Sequence, residues 1–284
     1  MKKMIVSTLL IFILITTCVM TFLVIEVISL QKQLDALTAN MAVAETVEDT
    51  EEMVDDSFLD NVYLVDNIDN IAEEGDIPLV YLTFDDGPSE NTDAILDILD
   101  DYNVKATFFV VGQDTEIYGD EYRRIVDEGH TIGMHSYSHN YSKIYQSSDS
   151  FIADYNKIHD LILDVTGVDT KYYRFPGGSS NKVSNSSMSV FINYLNQEGA
   201  VYYDWNVASG DATSQAFTAD ELVDNVMKDV VKYKTSVVLL HDASNKDATV
   251  EALPRLIESL NEAGAMILPI TDDTTIIQHV SVVQ

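Results

Sequence analysis

One cysteine, Cys18, is all that 284 residues provide, so no intramolecular disulfide can staple the fold. Basic residues are also scarce: 16 Lys and Arg stand against 47 Asp and Glu, a formal net charge of −31. A surface of that sign repels a phosphate backbone, which excludes nucleic acid as a partner. It tolerates neutral sugars and attracts cations. There is no internal repeat, and the low-complexity content is confined to an acidic stretch, Ala44 to Asp76, that carries no Lys or Arg. Apolar content is ordinary at 46%, enough for a real core in one large domain or two small ones.

The longest apolar run is Met4 to Ile25, behind Lys2 and Lys3. As a helix it measures roughly 33 Å, enough to cross a bilayer. A secretory signal has a shorter apolar stretch and a small-residue cleavage site directly after it. Here Glu26, Val27 and Ile28 follow, and the small-x-small triplet Ala42-Val43-Ala44 is distant. Residues 1–30 therefore read as an uncleaved transmembrane signal anchor. Lys2 and Lys3 place the N-terminus in the cytoplasm and the bulk of the chain outside. Cys18 follows Thr16 and Thr17 inside a run that continues past it, which argues against a lipid-modified cysteine. Residues 31–76 read as a solvated acidic linker. Within it, Val62 to Ile71 reads either as a short edge strand or docking segment or as more of the same solvated linker.

From Ile77 the pattern becomes regular. Apolar runs near 78–84, 106–111, 131–134, 171–175, 200–207, 236–241 and 265–270 read as strands. Helical spacing lies between them. Ala94, Ile95, Ile98, Leu99 and Tyr102 share one face, and Phe151, Tyr155, Ile158, Ile162 and Val165 share another. Thr218-Ala219-Asp220-Glu221 is a capping box, and a helix through Leu253, Leu256, Ile257 and Leu260 stops at Gly264. Strands alternating with helices imply an α/β domain, 77–284, with a parallel sheet and right-handed crossovers. The number of units points to a closed or nearly closed barrel, with an open doubly wound sheet as the alternative.

The polar residues that bear chemistry fall at strand ends. Asp85 and Asp86 end the first strand, in TFDDGPS, and His135 ends the third, in HSYSH, with His139 four residues on. Arg174 opens RFPGG, Asp211 lies in WNVASGDA, and His241 ends the sixth strand, in VVLLHD. In a βα barrel all of these open onto one face. One aspartate with the histidine pair makes a three-ligand metal site with open positions, and the second aspartate remains free as a base. Two histidines and a carboxylate also suit Fe(II) in an oxygenase, but a spare aspartate beside them favours hydrolysis. Singly, each motif has a plainer explanation. Asp-Asp-Gly-Pro is common turn chemistry, four-spaced histidines occur on ordinary helix faces, and His241 alone is a strand-end histidine. His130, His159 and His279 keep the structural reading, and Phe151, Tyr155 and Phe191 read as core.

The ordered motifs TFDDGPS, HSYSH, RFPGG, WNVASGD and LLH together resemble the polysaccharide deacetylases of the NodB-homology type, carbohydrate esterase family four. The resemblance spans residues 77–270. It implies a distorted (β/α)7-type barrel and metal-dependent hydrolysis of N-acetyl groups on a cell-wall polysaccharide, foremost peptidoglycan N-acetylglucosamine. Chitin oligomers, poly-N-acetylglucosamine and acetylated xylan are the alternative polymers, and a catalytically silent glycan-binding protein is the alternative class. By likeness, Asp86, His135 and His139 hold a divalent metal, with zinc expected and cobalt or another divalent ion as substitutes. Asp85 is the base, Arg174 orients it, His241 is the acid and Asp211 its partner. The Gly177 N–H is an oxyanion donor, and Leu239 lines the acetyl-methyl pocket. The partners implied are wall glycan and, through the N-terminal helix, the bacterial membrane. Gly177 and Ala212 depart from the family, which often carries an aromatic residue and a tryptophan at these places.

Overall fold

The computed structural model describes residues 77–184 and 186–282. The anchor expected at 1–30 and the linker at 31–76, with its segment 62–71, lie outside the described residues. Among the described residues no helix is long and apolar enough to cross a membrane.

Strands and helices alternate. The first half comprises β1 (Leu79–Asp85), α1 (Thr92–Asp101), β2 (Thr107–Val111), α2 (Thr115–Asp127), β3 (Thr131–Ser136), α3 (Tyr141–Ile144) and α4 (Ser148–Thr166). The second comprises β4 (Tyr172–Tyr173), α5 (Met188–Gln197), β5 (Val201–Tyr202), β6 (Val207–Ala208), α6 (Ala219–Val230), β7 (Thr235–His241), α7 (Asp247–Glu262) and β8 (Met266–Ile267). The sheet order is β5-β4-β3-β2-β1-β7-β6, with β8 added against the start of β1, and every pairing is parallel. All strand C-termini therefore share one rim.

The sequence expectation of one strand over 200–207 is corrected. That run supplies two short strands at opposite edges of the sheet, joined by residues 203–206. The break falls at Asp204, whose backbone N–H donates to the Ile277 carbonyl and whose buried carboxylate bonds to Ser179 and to the His279 N–H. The split also shows why the sheet curls. Five peptide steps from Tyr202 to Val207 reach at most about 18 Å. Seven flat strands would separate the two edges by about 29 Å. The short link can span from one edge to the other only if the sheet bends round, giving a curled half-barrel.

Strand alternation sorts the side chains. Val80, Leu82, Phe84, Phe108, Val110, Val238 and Leu240 belong to the large core beneath the helices. Tyr81, Phe109, Tyr203, Val237 and Ile270 form a second cluster inside the curl. With a period of two, Asp85 shares the inward face of Tyr81, and His241 and Leu239 share that of Val237. Gly133 must lack a side chain, since a Cβ there would sit 2.7 Å from the Phe109 ring. Helix ends carry the expected signals. The Thr218 hydroxyl accepts the Glu221 N–H while the Glu221 carboxylate accepts the Thr218 N–H, and Gly264, just beyond α7, has φ 73°.

Candidate active site

Asp86, His135 and His139 converge at the C-terminal rim, with one ligating atom from each lying within 4.8 Å of the others. Asp86 Oδ1 is 3.5 Å from His135 Nε2 and 3.1 Å from His139 Nε2. Two backbone departures aim these side chains. Asp86 has φ 79° and His139 φ 43°, both in the left-handed region that side-chain-bearing residues seldom adopt. The turn at Asp86 breaks the strand alternation that would otherwise send it away from Asp85. His135 is oriented by an Nδ1 contact of 2.8 Å to the Arg174 carbonyl, which leaves Nε2 facing the cluster. Burial first, then the neighbouring His135, holds His139 below the usual histidine range, in the neutral form that ligates.

These residues fit a divalent metal. Asp86 Oδ1 is buried and has no hydrogen-bond partner. Such an atom is costly to leave unpaired, and a cation between it and two imidazole nitrogens would satisfy it. Two imidazoles and one carboxylate form a donor set with open positions.

Asp85 stands beside this cluster, its Oδ2 3.9 Å from His135 Nε2. Arg174, fully buried, donates from Nη1 to Asp85 Oδ1 at 2.9 Å and to Thr83 Oγ1 at 2.6 Å. Its Nε and Nη2 donate to the carbonyls of Tyr203 and Asp204, and the guanidinium lies over the Phe109 ring. The fork is thus held on several sides, and it anchors Asp85 through Oδ1.

His241 ends β7. Its Nδ1 meets Asp211 Oδ1 at 2.8 Å, and its N–H donates to Asp211 Oδ2 at 2.8 Å. Thr249 Oγ1 donates to the same carboxylate, and Lys246 Nζ to the Asp211 carbonyl. Burial disfavours the imidazolium, but the Asp211 bond outweighs it and raises His241 above its usual range. Burial likewise opposes the Asp211 charge, and its bonds to His241 and Thr249 lower it on balance. Leu239, half-buried, points inward two residues before His241. Gly177 sits in the RFPGG turn with φ 78° against the Tyr141 ring, which meets the His139 ring edge-on at 5.5 Å. Burial, and then the carboxylates Asp86 and Asp85, push the Tyr141 phenol up.

Three further carboxylates hold the site and were not marked by the sequence reading. Asp154 accepts from Ser136 Oγ and from the N–H groups of Tyr137 and Ser138, fixing the loop between the two histidines. Asp242 accepts from Ser89 and Thr92 and packs on Gly87, where any Cβ would overlap it, and burial raises its carboxyl to about 6. Asp204 clamps Ser179 beyond the RFPGG turn. The only signal for Asp242 was its place after His241, and Asp154 had none because it sits mid-helix. His130 accepts the Ala106 N–H through Nδ1, and His159 pairs with Asp169, as structural histidines do.

Comparison with known proteins agrees with this geometry. The polysaccharide deacetylase family model matches residues 72–191. YheN of Bacillus subtilis is 36% identical over 203 residues, covering 70% of this chain and 69% of that protein. A peptidoglycan-N-acetylglucosamine deacetylase of Bacillus cereus is 30% identical over 189 residues, covering 66% of this chain and 67% of that protein. The crystal structure of the catalytic domain of peptidoglycan N-acetylglucosamine deacetylase from Eubacterium rectale superposes with a TM-score of 0.69 at 38% identity, covering 74% of this chain and 96% of that one. Fold, motif order and relatives converge, and the chain belongs to the polysaccharide deacetylases of carbohydrate esterase family four, hydrolases that cut a carbon–nitrogen amide bond.

Proposed function

We propose that this protein removes the N-acetyl group from N-acetylglucosamine in peptidoglycan, using zinc held by Asp86, His135 and His139. The observation that carries the reading is the unpartnered Asp86 Oδ1 facing two imidazole nitrogens, with Asp85 standing apart on its own arginine. The choice of peptidoglycan is supported by the names of the Bacillus cereus and Eubacterium rectale relatives.

When bound, the ion polarises the acetyl carbonyl and makes water more acidic. Asp85 takes the proton of the attacking water, and Arg174 holds that carboxylate in place. His241, held charged by Asp211, gives its Nε2 proton to the departing amine. The Gly177 N–H donates to the oxygen that gains charge. Leu239 faces the acetyl methyl. The acidic composition suits a resident cation.

The apolar run Met4 to Ile25, behind two lysines, supports a single-pass anchor with residues 77–284 as the catalytic domain outside the membrane, and the acidic stretch 31–76 supports a tether to the wall. Acetate release by the full-length, zinc-loaded protein tests the substrate, with peptidoglycan, chitin oligomers, poly-N-acetylglucosamine and acetylated xylan compared side by side. Peptidoglycan turned over fastest is the expected result, and a preference for any of the other three reassigns the polymer.

A further inference from the structure

We infer that Tyr141 determines substrate binding at this site: its ring walls the space beside Gly177, and its hydroxyl donates a hydrogen bond to an oxygen of the acetylated sugar. This rests on the deacetylase reading of the site and adds a residue that none of the motifs contains.

The space comes first. Gly177 has φ 78°, and a Cβ there would lie 3.0 Å from Tyr141 Cε1 and 3.3 Å from its hydroxyl oxygen. The phenol end of Tyr141 therefore fills the volume into which a side chain at 177 would grow. The backbone of the RFPGG turn and a residue from α3 build this wall jointly.

Next is the direction. The Tyr141 ring meets the His139 ring edge-on at 5.5 Å, and the His139 ring lies 5.2 Å from that of His135. The phenol thus borders the metal ligands on the side of the RFPGG turn. Its backing is firm. Asn140 caps α3 by accepting the Lys143 N–H, which fixes where Tyr141 starts the helix. Tyr145 packs behind it at 6.2 Å and spends its own hydroxyl on the Pro176 carbonyl at 2.8 Å.

The hydroxyl of Tyr141, by contrast, has no hydrogen-bond partner among the described residues. A half-buried phenol O–H is a donor that seeks an acceptor. The acceptors brought into this space by an N-acetylated sugar are its ring hydroxyl oxygens and its amide carbonyl. A tyrosine offers them a donor without a positive charge, and its ring offers the sugar's C–H surface an apolar face.

The test uses the full-length, zinc-loaded protein and a defined N-acetylglucosamine oligomer, with binding measured calorimetrically and turnover by acetate release. Tyr141→Phe keeps the ring and removes the donor. Its dissociation constant and KM are expected to rise about tenfold, or about 1.4 kcal/mol, with kcat within about twofold and zinc stoichiometry unchanged. An unaltered dissociation constant in Tyr141→Phe overturns the inference. Gly177→Ala checks the wall separately. Its loss of affinity is expected to be smaller in a Tyr141→Ala background, and equal losses in both backgrounds overturn the shared wall. Because binding is read apart from turnover, wild-type protein that releases no acetate contradicts the deacetylase reading while the binding comparison still decides Tyr141.

Discussion

Arg174 Nη1 donates to Asp85 Oδ1 at 2.9 Å, and neither side chain is more than 3% exposed. A buried guanidinium is tolerable only because its other N–H groups go to Thr83, Tyr203 and Asp204. The pair therefore has a structural consequence as well as a chemical one. Removing one partner strands the other charge in the interior. Arg174→Met is expected to destabilise the fold by about 3–5 kcal/mol, read as a lower urea midpoint, whereas a midpoint within error of wild type would mean that the pair is dispensable.

Asp85 and Asp86 are adjacent in sequence but differ in surroundings. Asp85 is bonded to Arg174, while Asp86 faces the imidazoles. Asp85→Asn is expected to retain one zinc per chain while acetate release falls by about 10²–10⁴-fold. Metal analysis beside the activity assay checks this, and loss of zinc in the variant would show that the two aspartates have been assigned the wrong way round.

The loop between the histidines depends on one helix residue. Asp154 accepts three hydrogen bonds from Ser136, Tyr137 and Ser138. Asp154→Ala frees that loop without touching a ligand. Zinc affinity, measured by chelator competition, is expected to weaken by about 10–100-fold. Affinity equal to wild type would mean that the strained His139 backbone holds itself.

His241 carries the pH dependence. Its raised pKa means that the folded state favours the imidazolium. The stabilisation from the Asp211 pair is complete below the unfolded histidine value near 6.5 and is lost as pH rises through the higher folded value. With His241 as the proposed general acid, kcat/KM is expected to fall on the alkaline side only above the ordinary histidine range. Asp211→Asn is expected to move that alkaline limb to lower pH. A limb that stays in place in Asp211→Asn assigns the acid to another group.

The sequence carried more of the site than of the sheet. Asp85, Asp86, His135, Arg174 and His241 sit at strand ends, His139 and Asp211 lie in the loops that follow strands, and parallel strands bring their C-termini to one rim whatever the details of curvature. The curl itself was legible only as a number of units. The division of 200–207 into two edge strands falls at Asp204, which bonds to Ser179 and Ile277, contacts made across 25 and 73 positions that no periodicity reports. The buried face of helix α2 was not legible because its stripe is only Gly119, Tyr122 and Ile125. Tyr141 was invisible as a site residue because its role depends on a glycine in another motif having no side chain.

The location of the ion bears most directly on the account. A crystal of the protein soaked in zinc, with anomalous diffraction collected at the zinc edge, is expected to show one strong site about 2.0–2.2 Å from an Asp86 carboxylate oxygen and from His135 Nε2 and His139 Nε2. Asp85 should lie outside that sphere, still bonded to Arg174. A peak that takes Asp85 as its carboxylate ligand, or that leaves either histidine uncoordinated, contradicts it.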